Sequence, residues 1–155
     1  MKKITITLLV IFAVALLYAK TEQLKNFEEL MDALKSGEQV RMVVYYGRCK
    51  LISGNEIKDS APNAIGGMNL NVFEYFAPMS IGNPNAFVVS SQTKLINLKG
   101  FVYNYAKLKV SDDNKVKITA QYVNPDEFEI EMDENFFSTI NDGKNKGAVY
   151  FYLVE

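Results

Sequence analysis

The feature that most constrains the fold of this chain is a period-two alternation of apolar residues, which recurs from residue 38 to the C-terminal end. In the first such run, Val40, Met42 and Val44 occupy alternate positions. Successive side chains of a β-strand point to opposite faces of the sheet, so this alternation is typical of strands with one face in the core. The chain contains about eight such segments, at residues 38–46, 66–76, 85–91, 93–98, 101–110, 115–123, 127–132 and 147–154.

The order of these segments predicts an antiparallel architecture. Residues 101–110 and 115–123 flank the polar sequence SDDN, which is typical of a hairpin, and sequential pairing is the usual topology for strands joined by short turns. About eight strands suffice to close a small antiparallel barrel around side chains or one small ligand. We therefore expect a mainly β fold with a closed or half-closed barrel, and an open curved sheet is the alternative. Residues 133–140, DENFFSTI, are expected to form a short helical turn capped by Asp133.

One helix precedes the strands. Its apolar residues recur at the i, i+3, i+4 and i+7 positions of a single helix face: Phe27, Leu30, Met31 and Leu34. Asn26 is placed to cap the N-terminus together with Glu29, and Gly37 supplies a left-handed stop. The helix is therefore expected to pack on the strands, at one end of the barrel.

The N-terminal residues 1–19 resemble a secretory signal peptide, with two lysines followed by the apolar run Leu8–Leu17. Cleavage after Ala19 would leave a mature chain that begins at Lys20. The alternative is an uncleaved anchor, but a bilayer span needs about 20 apolar residues and this run is shorter. We expect a periplasmic or secreted protein with one domain at residues 20–155 and no stable membrane span after cleavage.

Charge and composition exclude several function classes. Without the two lysines of the signal, 15 of the 17 basic residues remain against 18 acidic ones, a net charge of −3. This balance, without an evident basic stripe, argues against nucleic-acid binding. The chain has no histidine, which removes the usual general base and the commonest metal ligand. We therefore expect a non-enzymatic protein with no cofactor and no metal.

The chain has a single cysteine, Cys49, between Arg48 and Lys50. Flanking cations favour the thiolate, so one interpretation is a reactive thiol. Another is a small buried side chain, since free cysteine is among the most often buried residue types. A third is an intermolecular disulfide, because an unpaired cysteine in an oxidising compartment can pair with a partner.

The order of several motifs resembles the VirK family of small exported bacterial proteins associated with virulence. These motifs span residues 27–50, 61–76, 102–110, 132–137 and 147–152. The resemblance implies an exported accessory protein in envelope or host-interaction physiology, and it implies no reaction.

The most family-like stretches, YYGRC and IGGMNLNVFEYF, mark either a site or the turn geometry of the fold. The candidate binding region within them comprises Tyr46, Gly47, Arg48, Gly66, Gly67, Phe73 and Tyr75. We expect a binding module for an unknown protein or a small apolar ligand, held in the barrel mouth or along the irregular residues 53–67. The alternatives are a thiol-dependent activity centred on Cys49 and a purely structural envelope role.

Overall fold

The computed structural model describes residues 21–54 and 56–154, which form eleven strands and one α-helix. The predicted signal peptide, its cleavage site at Ala19 and Lys20 lie outside the described residues. The elements are β1 (Gln23–Leu24), α1 (Phe27–Lys35), β2 (Val40–Tyr45), β3 (Lys50–Ser53), β4 (Glu56–Ile57), β5 (Ile65–Asn69), β6 (Glu74–Phe76), β7 (Phe87–Asn97), β8 (Phe101–Ser111), β9 (Lys115–Val123), β10 (Ile130–Thr139) and β11 (Val149–Leu153).

The strands form two antiparallel sheets, so the mainly β antiparallel prediction is confirmed. The smaller sheet has the order β1-β11-β2-β5, and the larger has the order β4-β3-β10-β9-β8-β7-β6. The predicted barrel is wrong, because within the described residues each sheet ends in two edge strands and neither closes. The chain changes sheet four times, between β2 and β3, between β4 and β5, between β5 and β6, and between β10 and β11. This alternation prevents the sequential pairing that a barrel needs.

The two sheets and the helix share one hydrophobic core. Its fully buried side chains come from all three parts, namely Phe151, Leu30, Leu108, Ile118, Ile140, Val40, Val44, Val88, Val110, Val116 and Val149. A bridge between Ile140 and Val149 ties the end of β10 to the start of β11. The outer faces of both sheets are therefore the surfaces on which a binding site can lie.

The predicted helix is confirmed together with its ends. The Asn26 side chain accepts a hydrogen bond from the backbone N–H of Glu29 at 2.9 Å, and Gly37 has a φ of 79°. The four residues of the predicted apolar face are all buried. The helix packs into the core shared by the two sheets, and the backbone N–H of Phe27 donates to the side chain of Asn114 at 2.7 Å.

Two local predictions are wrong where long strands pair on the larger sheet. The alternation predicts separate strands at residues 85–91 and 93–98, but they merge into β7, which pairs with β8 along its whole length. The helical turn predicted for residues 133–140 does not form, because residues 133–139 belong to β10. Phe136 is paired with Ile118 on one side and Leu51 on the other. Pairing on both sides stabilises the strand over the local helical preference.

The predicted hairpin at SDDN is confirmed as the connection between β8 and β9, and Asn114 takes the left-handed conformation there with a φ of 62°. None of the helices in residues 21–54 and 56–154 is long and apolar enough to cross a membrane.

Candidate binding surface

The YYGRC motif forms the turn that carries the chain from the smaller sheet to the larger one. Residues Tyr46–Arg48 make one turn of 3-10 helix, closed by the backbone N–H of Cys49 donating to the carbonyl of Tyr46 at 2.9 Å. The N–H of Tyr46 donates to the carbonyl of Ala64 at 2.9 Å, and Gly47 lies against Asn63. The turn is therefore fixed against the loop that precedes β5.

The Tyr46 side chain points inward and has a packing role. Its ring lies 4.5 Å from the ring of Phe136, centroid to centroid. A Cβ atom at Gly66 would be 2.7 Å from the Tyr46 ring, so glycine at this position gives the ring its space. Burial raises the pKa of Tyr46, and the nearby Cys49 and Tyr122 raise it further. These contacts give Tyr46 and Gly66 a packing role in the motif rather than a role in contacting a ligand.

Cys49 is half-buried beside this ring. Its Sγ donates a long hydrogen bond to the carbonyl of Tyr45 at 3.7 Å. Burial raises the pKa of the Cys49 thiol, while Ser138 and the Arg48 charge oppose that shift. Because the thiolate is the nucleophilic form, a raised pKa lowers reactivity at neutral pH.

Arg48 points to the outer face of the smaller sheet. Its guanidinium donates to the hydroxyl of Tyr150 at 3.0 Å and to the carbonyl of Gly147 at 2.8 Å. The same group lies 5.6 Å from the centre of the Tyr45 ring and 5.8 Å from that of Tyr150. The side chain therefore ties the β2–β3 turn to the start of β11.

Strand register extends this contact into an exposed surface. The rings of Tyr45 and Tyr150 meet edge to face at 5.5 Å, and those of Tyr150 and Tyr152 are parallel at 6.3 Å. Tyr152 is paired with Arg41 across the sheet, and Tyr45 is paired with Ile65. We name this surface the tyrosine face, which comprises Tyr45, Tyr150, Tyr152, Arg41, Arg48 and Ile65.

The tyrosine face is open to solvent. Tyr45 is 38% exposed and Ile65 is 67% exposed. Gly67 is paired with Val43 between them and contributes no side chain. A Cβ atom at Gly67 would be 2.8 Å from the carbonyl oxygen of Met42, so the close approach of β5 to β2 requires glycine there.

The remaining predicted residues, Phe73 and Tyr75, lie elsewhere, at the β6 edge of the larger sheet. Phe73 lines a cavity of about 190 Å³ together with Ser90 and Tyr105. Tyr75 is paired with Val88, and the Lys35 ammonium lies 5.2 Å from its ring centre. The residues of the predicted binding region therefore do not form one site. Of them, only the Arg48 side chain and the Gly67 backbone lie at the tyrosine face.

Sequence reasoning missed the other members of this face, although a signal was present. Arg41 and Arg48 are the only two arginines of the chain, and they lie near the two ends of β2. Tyr150 and Tyr152 recur at period two in the last strand, which places them on one face. These two observations mark outward-facing residues on two separate strands, but only the pairing of β2 with β11 shows that they share one face.

A second charged surface lies on the larger sheet. Hairpin β8–β9 places four lysines on the outer face of the larger sheet, which we name the lysine face: Lys107, Lys109, Lys115 and Lys117. Lys109 and Lys117 are direct cross-strand partners. Their ammonium groups lie 3.9 Å and 5.6 Å from the ring centres of Phe87 and Phe137, respectively.

These features define residues 21–54 and 56–154 as a small two-sheet β fold with one α-helix and exposed sheet faces. The sequence model of the VirK protein family matches residues 23–128, more than half of the chain. The chain therefore belongs to the VirK family.

A solved structure has the same fold. The crystal structure of a VirK family protein from Legionella pneumophila superposes with a TM-score of 0.61 at 16% sequence identity. The match covers 83% of this chain and 97% of the other. A search of curated proteins finds no significant match.

Proposed function

We propose that this VirK family protein is an exported, non-enzymatic bacterial binding protein that docks a protein partner on its tyrosine face. Its role is accessory, in envelope or host-interaction physiology. The observation that carries the proposal is that both arginines of the chain and three tyrosines meet on one exposed sheet face.

The composition of the face supports a protein partner. Tyrosine and arginine are enriched in the energetic centres of protein interfaces, where a large rigid side chain gives contact area at little entropic cost. Tyr45, Tyr150 and Arg48 already hold one another by a hydrogen bond and ring contacts. Binding of a partner therefore costs little additional side-chain entropy in these three residues.

Charge also indicates the chemistry of the partner. Arg41 and Arg48 give the two ends of the face a positive character, and the guanidinium group is suited to bidentate contacts with carboxylates. The fitting partner is therefore a protein surface with aromatic or aliphatic side chains between acidic ones. A small apolar ligand is a weaker candidate, because the barrel mouth proposed to hold it does not form in the described residues.

Export is part of the proposal. It rests on the lysines and the apolar run within residues 1–19. Mass spectrometry of the protein from its host is expected to find a chain that begins at or near Lys20, in the periplasm or the medium. A cytosolic protein that keeps Met1 would contradict it.

Site-specific photo-crosslinking tests the binding surface. A photoreactive phenylalanine analogue at Ile65 is expected to give an adduct of one defined mass in the producing bacterium or in contact with host material. The same analogue at the exposed Thr93 of β7 serves as the control and is expected to give none. Equal adducts at both positions, or none at Ile65, would argue against the tyrosine face.

A matched pair of variants shows whether the adduct depends on the tyrosines. Tyr152→Ala should abolish the Ile65 adduct, whereas Tyr105→Ala, at a half-buried tyrosine on the larger sheet, should leave it. Both variants should remain folded by circular dichroism.

The thiol-dependent alternative makes a different prediction. A reactive Cys49 would be labelled rapidly by a disulfide-exchange reagent in the folded protein, and Cys49→Ala would abolish function without changing the melting temperature. The half-burial of Cys49 and its raised thiol pKa favour the binding role over this one.

A further inference from the structure

Two hairpin tips lie side by side at the far end of the larger sheet. The tip between β7 and β8 contributes Leu98, Lys99 and Phe101, and the tip between β9 and β10 contributes Asn124 and Asp126, among others, to one groove of about 680 Å³. This groove is separate from the tyrosine face, since its strands belong to the other sheet.

Five large apolar side chains are exposed at the same end of the larger sheet as the groove, and two of them, Leu98 and Phe101, line it. We name this set the tip patch, and its members are Leu95, Leu98, Phe101, Phe128 and Ile130. Their exposed fractions range from 54% for Leu95 to 71% for Phe128. Clustered apolar side chains of this size mark interaction sites more often than free surface.

The turn that carries Phe128 holds its side chain in the exposed position. Phe128 has a φ of 58°, a conformation that bulky residues rarely adopt. Its N–H donates to the carbonyl of Asn124 at 3.0 Å, and the Asn124 side chain accepts from the N–H groups of Asp126 and Glu127. The ring is therefore presented to solvent by a defined turn.

The charges around the tip patch are opposite on its two sides. Lys94 and Lys99 flank the β7–β8 tip, and four acidic residues flank the other tip: Asp126, Glu127, Glu129 and Glu131. Across residues 21–54 and 56–154, ion pairs within 4.0 Å join only Lys58 with Glu56 and Lys115 with Asp113. The lysines and carboxylates of the two tips thus form no ion pair within the described residues, although Glu131 accepts a hydrogen bond from the Asn124 side chain at 3.2 Å.

We propose that the tip patch binds a second copy of this chain in a two-fold symmetric dimer. A two-fold axis sets the same patch against itself, so the basic tip of each copy meets the acidic tip of the other. The Leu98 and Phe101 side chains then pack on Phe128 and Ile130 of the second copy. A surface with positive charge on one side of an apolar centre and negative charge on the other is complementary to the same surface on a second copy.

Sedimentation of the mature wild-type protein tests the dimer directly. The sedimentation coefficient is expected to rise with protein concentration and to approach that of a dimer. Added salt should weaken the association, because the flanking charges are exposed and screened. A monomer at every concentration overturns the proposal. If that monomer binds lipid vesicles, the tip patch serves a membrane instead.

Charge reversal identifies the contact. In Lys99→Glu homodimers the introduced carboxylate would face Asp126 of the second copy, and in Asp126→Lys homodimers Lys99 would face the introduced ammonium group. Each variant alone is expected to associate with about tenfold lower affinity than the wild type at the same salt concentration, which corresponds to ~1.4 kcal/mol. In a heterodimer of the two variants, one contact is the original pair of Asp126 with Lys99. The other contact pairs the two introduced charges, which are also opposite in sign. The heterodimer should therefore be tighter than either homodimer.

Apolar variants separate the patch from the rest of the surface. Phe101→Ser is expected to weaken the dimer by about tenfold or more, as for the centre of an interface. Ile81→Ser is the matched control, since Ile81 is 65% exposed but lies outside the tip patch. Wild-type association of Phe101→Ser, or failure of the charge-reversed pair to form a heterodimer, would refute the proposed geometry.

Discussion

The tyrosine face and the lysine face are the outer surfaces of the two sheets, and their side chains behave differently. On the tyrosine face, Arg48 donates a hydrogen bond to Tyr150 and lies near the ring of Tyr45. The guanidinium group and the two rings therefore fix one another in position. On the lysine face, Lys109 and Lys117 are direct cross-strand partners with the same charge. Each rests on a different aromatic ring, Phe87 or Phe137, and not on the other lysine.

The difference shows how two exposed sheet faces can serve different purposes. The planar guanidinium of arginine stacks and forms hydrogen bonds in a fixed geometry, whereas the ammonium of lysine is strongly hydrated on a flexible stem. The side chains of the tyrosine face are therefore held by contacts with one another, whereas Lys109 and Lys117 of the lysine face each contact one ring and not each other. The first suits specific binding, and the second suits solubility.

The comparison requires that both faces cover one core, and Leu30→Ala tests that requirement with the largest expected effect. Leu30 is 0% exposed in the core shared by the helix and both sheets. Its truncation should lower the free energy of unfolding by about 2–5 kcal/mol. Denaturant unfolding followed by fluorescence measures this loss. A change within error would mean that α1 is a detached arm.

Gly66→Ala tests whether the turn supports the tyrosine face. The new methyl group would collide with the Tyr46 ring, which packs on Phe136, and should destabilise the protein by about 1–3 kcal/mol. Gly47→Ala is the matched control in the same motif, because its Cβ would meet its nearest neighbour at an ordinary 3.4 Å. That change should be neutral or stabilising by up to ~1 kcal/mol. Thermal unfolding distinguishes them, and equal losses would remove the special role of Gly66.

Local features of the fold could be predicted from the sequence where one short segment carries all the information. Helix α1 has its cap at Asn26, its apolar face and its stop at Gly37 close together in the chain, and each lies where it was predicted. The β8–β9 hairpin is likewise defined by two alternating runs and a polar turn.

The sheet assignment could not be predicted, because it depends on contacts distant in sequence. Strand β2 pairs with β11, from the opposite end of the described chain, and β3 pairs with β10. Alternation identifies a strand but does not reveal its partner. The same limit concealed the tyrosine face, since its members come from β2, β5, β11 and the turn after β2 and meet only through the β2–β11 and β2–β5 pairings.

Cys49 lies beneath the turn that joins the two faces, and its substitution should have a moderate effect. Cys49→Ser should lower the free energy of unfolding by about 1 kcal/mol, because the hydroxyl replaces a weakly polar group at a half-buried position. Cys49→Ala should be milder. Rapid labelling of the native thiol at neutral pH would contradict this structural role.

The pH dependence of Cys49 gives a second check. Burial raises the pKa of the Cys49 thiol above its ordinary value, so the folded state favours the protonated form. Its contribution to stability is present below the ordinary thiol pKa and is lost as the pH rises through the raised value. The stability of the wild type relative to Cys49→Ala should therefore fall across that alkaline range. A constant difference would mean that burial does not govern the thiol.

Lys117→Glu sharpens the comparison of the two faces with the smallest expected effect. If the lysine face is only a solvated surface, the new glutamate forms an opposite-charge pair with Lys109 across β8 and β9, at the site of a like-charge pair. Such pairs contribute about 0.2–1 kcal/mol, and loss of the contact between Lys117 and the Phe137 ring offsets part of this gain. Thermal unfolding at low salt should therefore show a slight stabilisation that disappears at high salt.

Lys107→Glu is the control, because its direct partner is the uncharged Thr119. The Ile65 adduct should be unaffected by either change. If Lys117→Glu instead abolishes retention on a heparin column that binds the wild type, the lysine face is itself a binding surface for anions, and the contrast between the two faces no longer separates a binding surface from a solvated one.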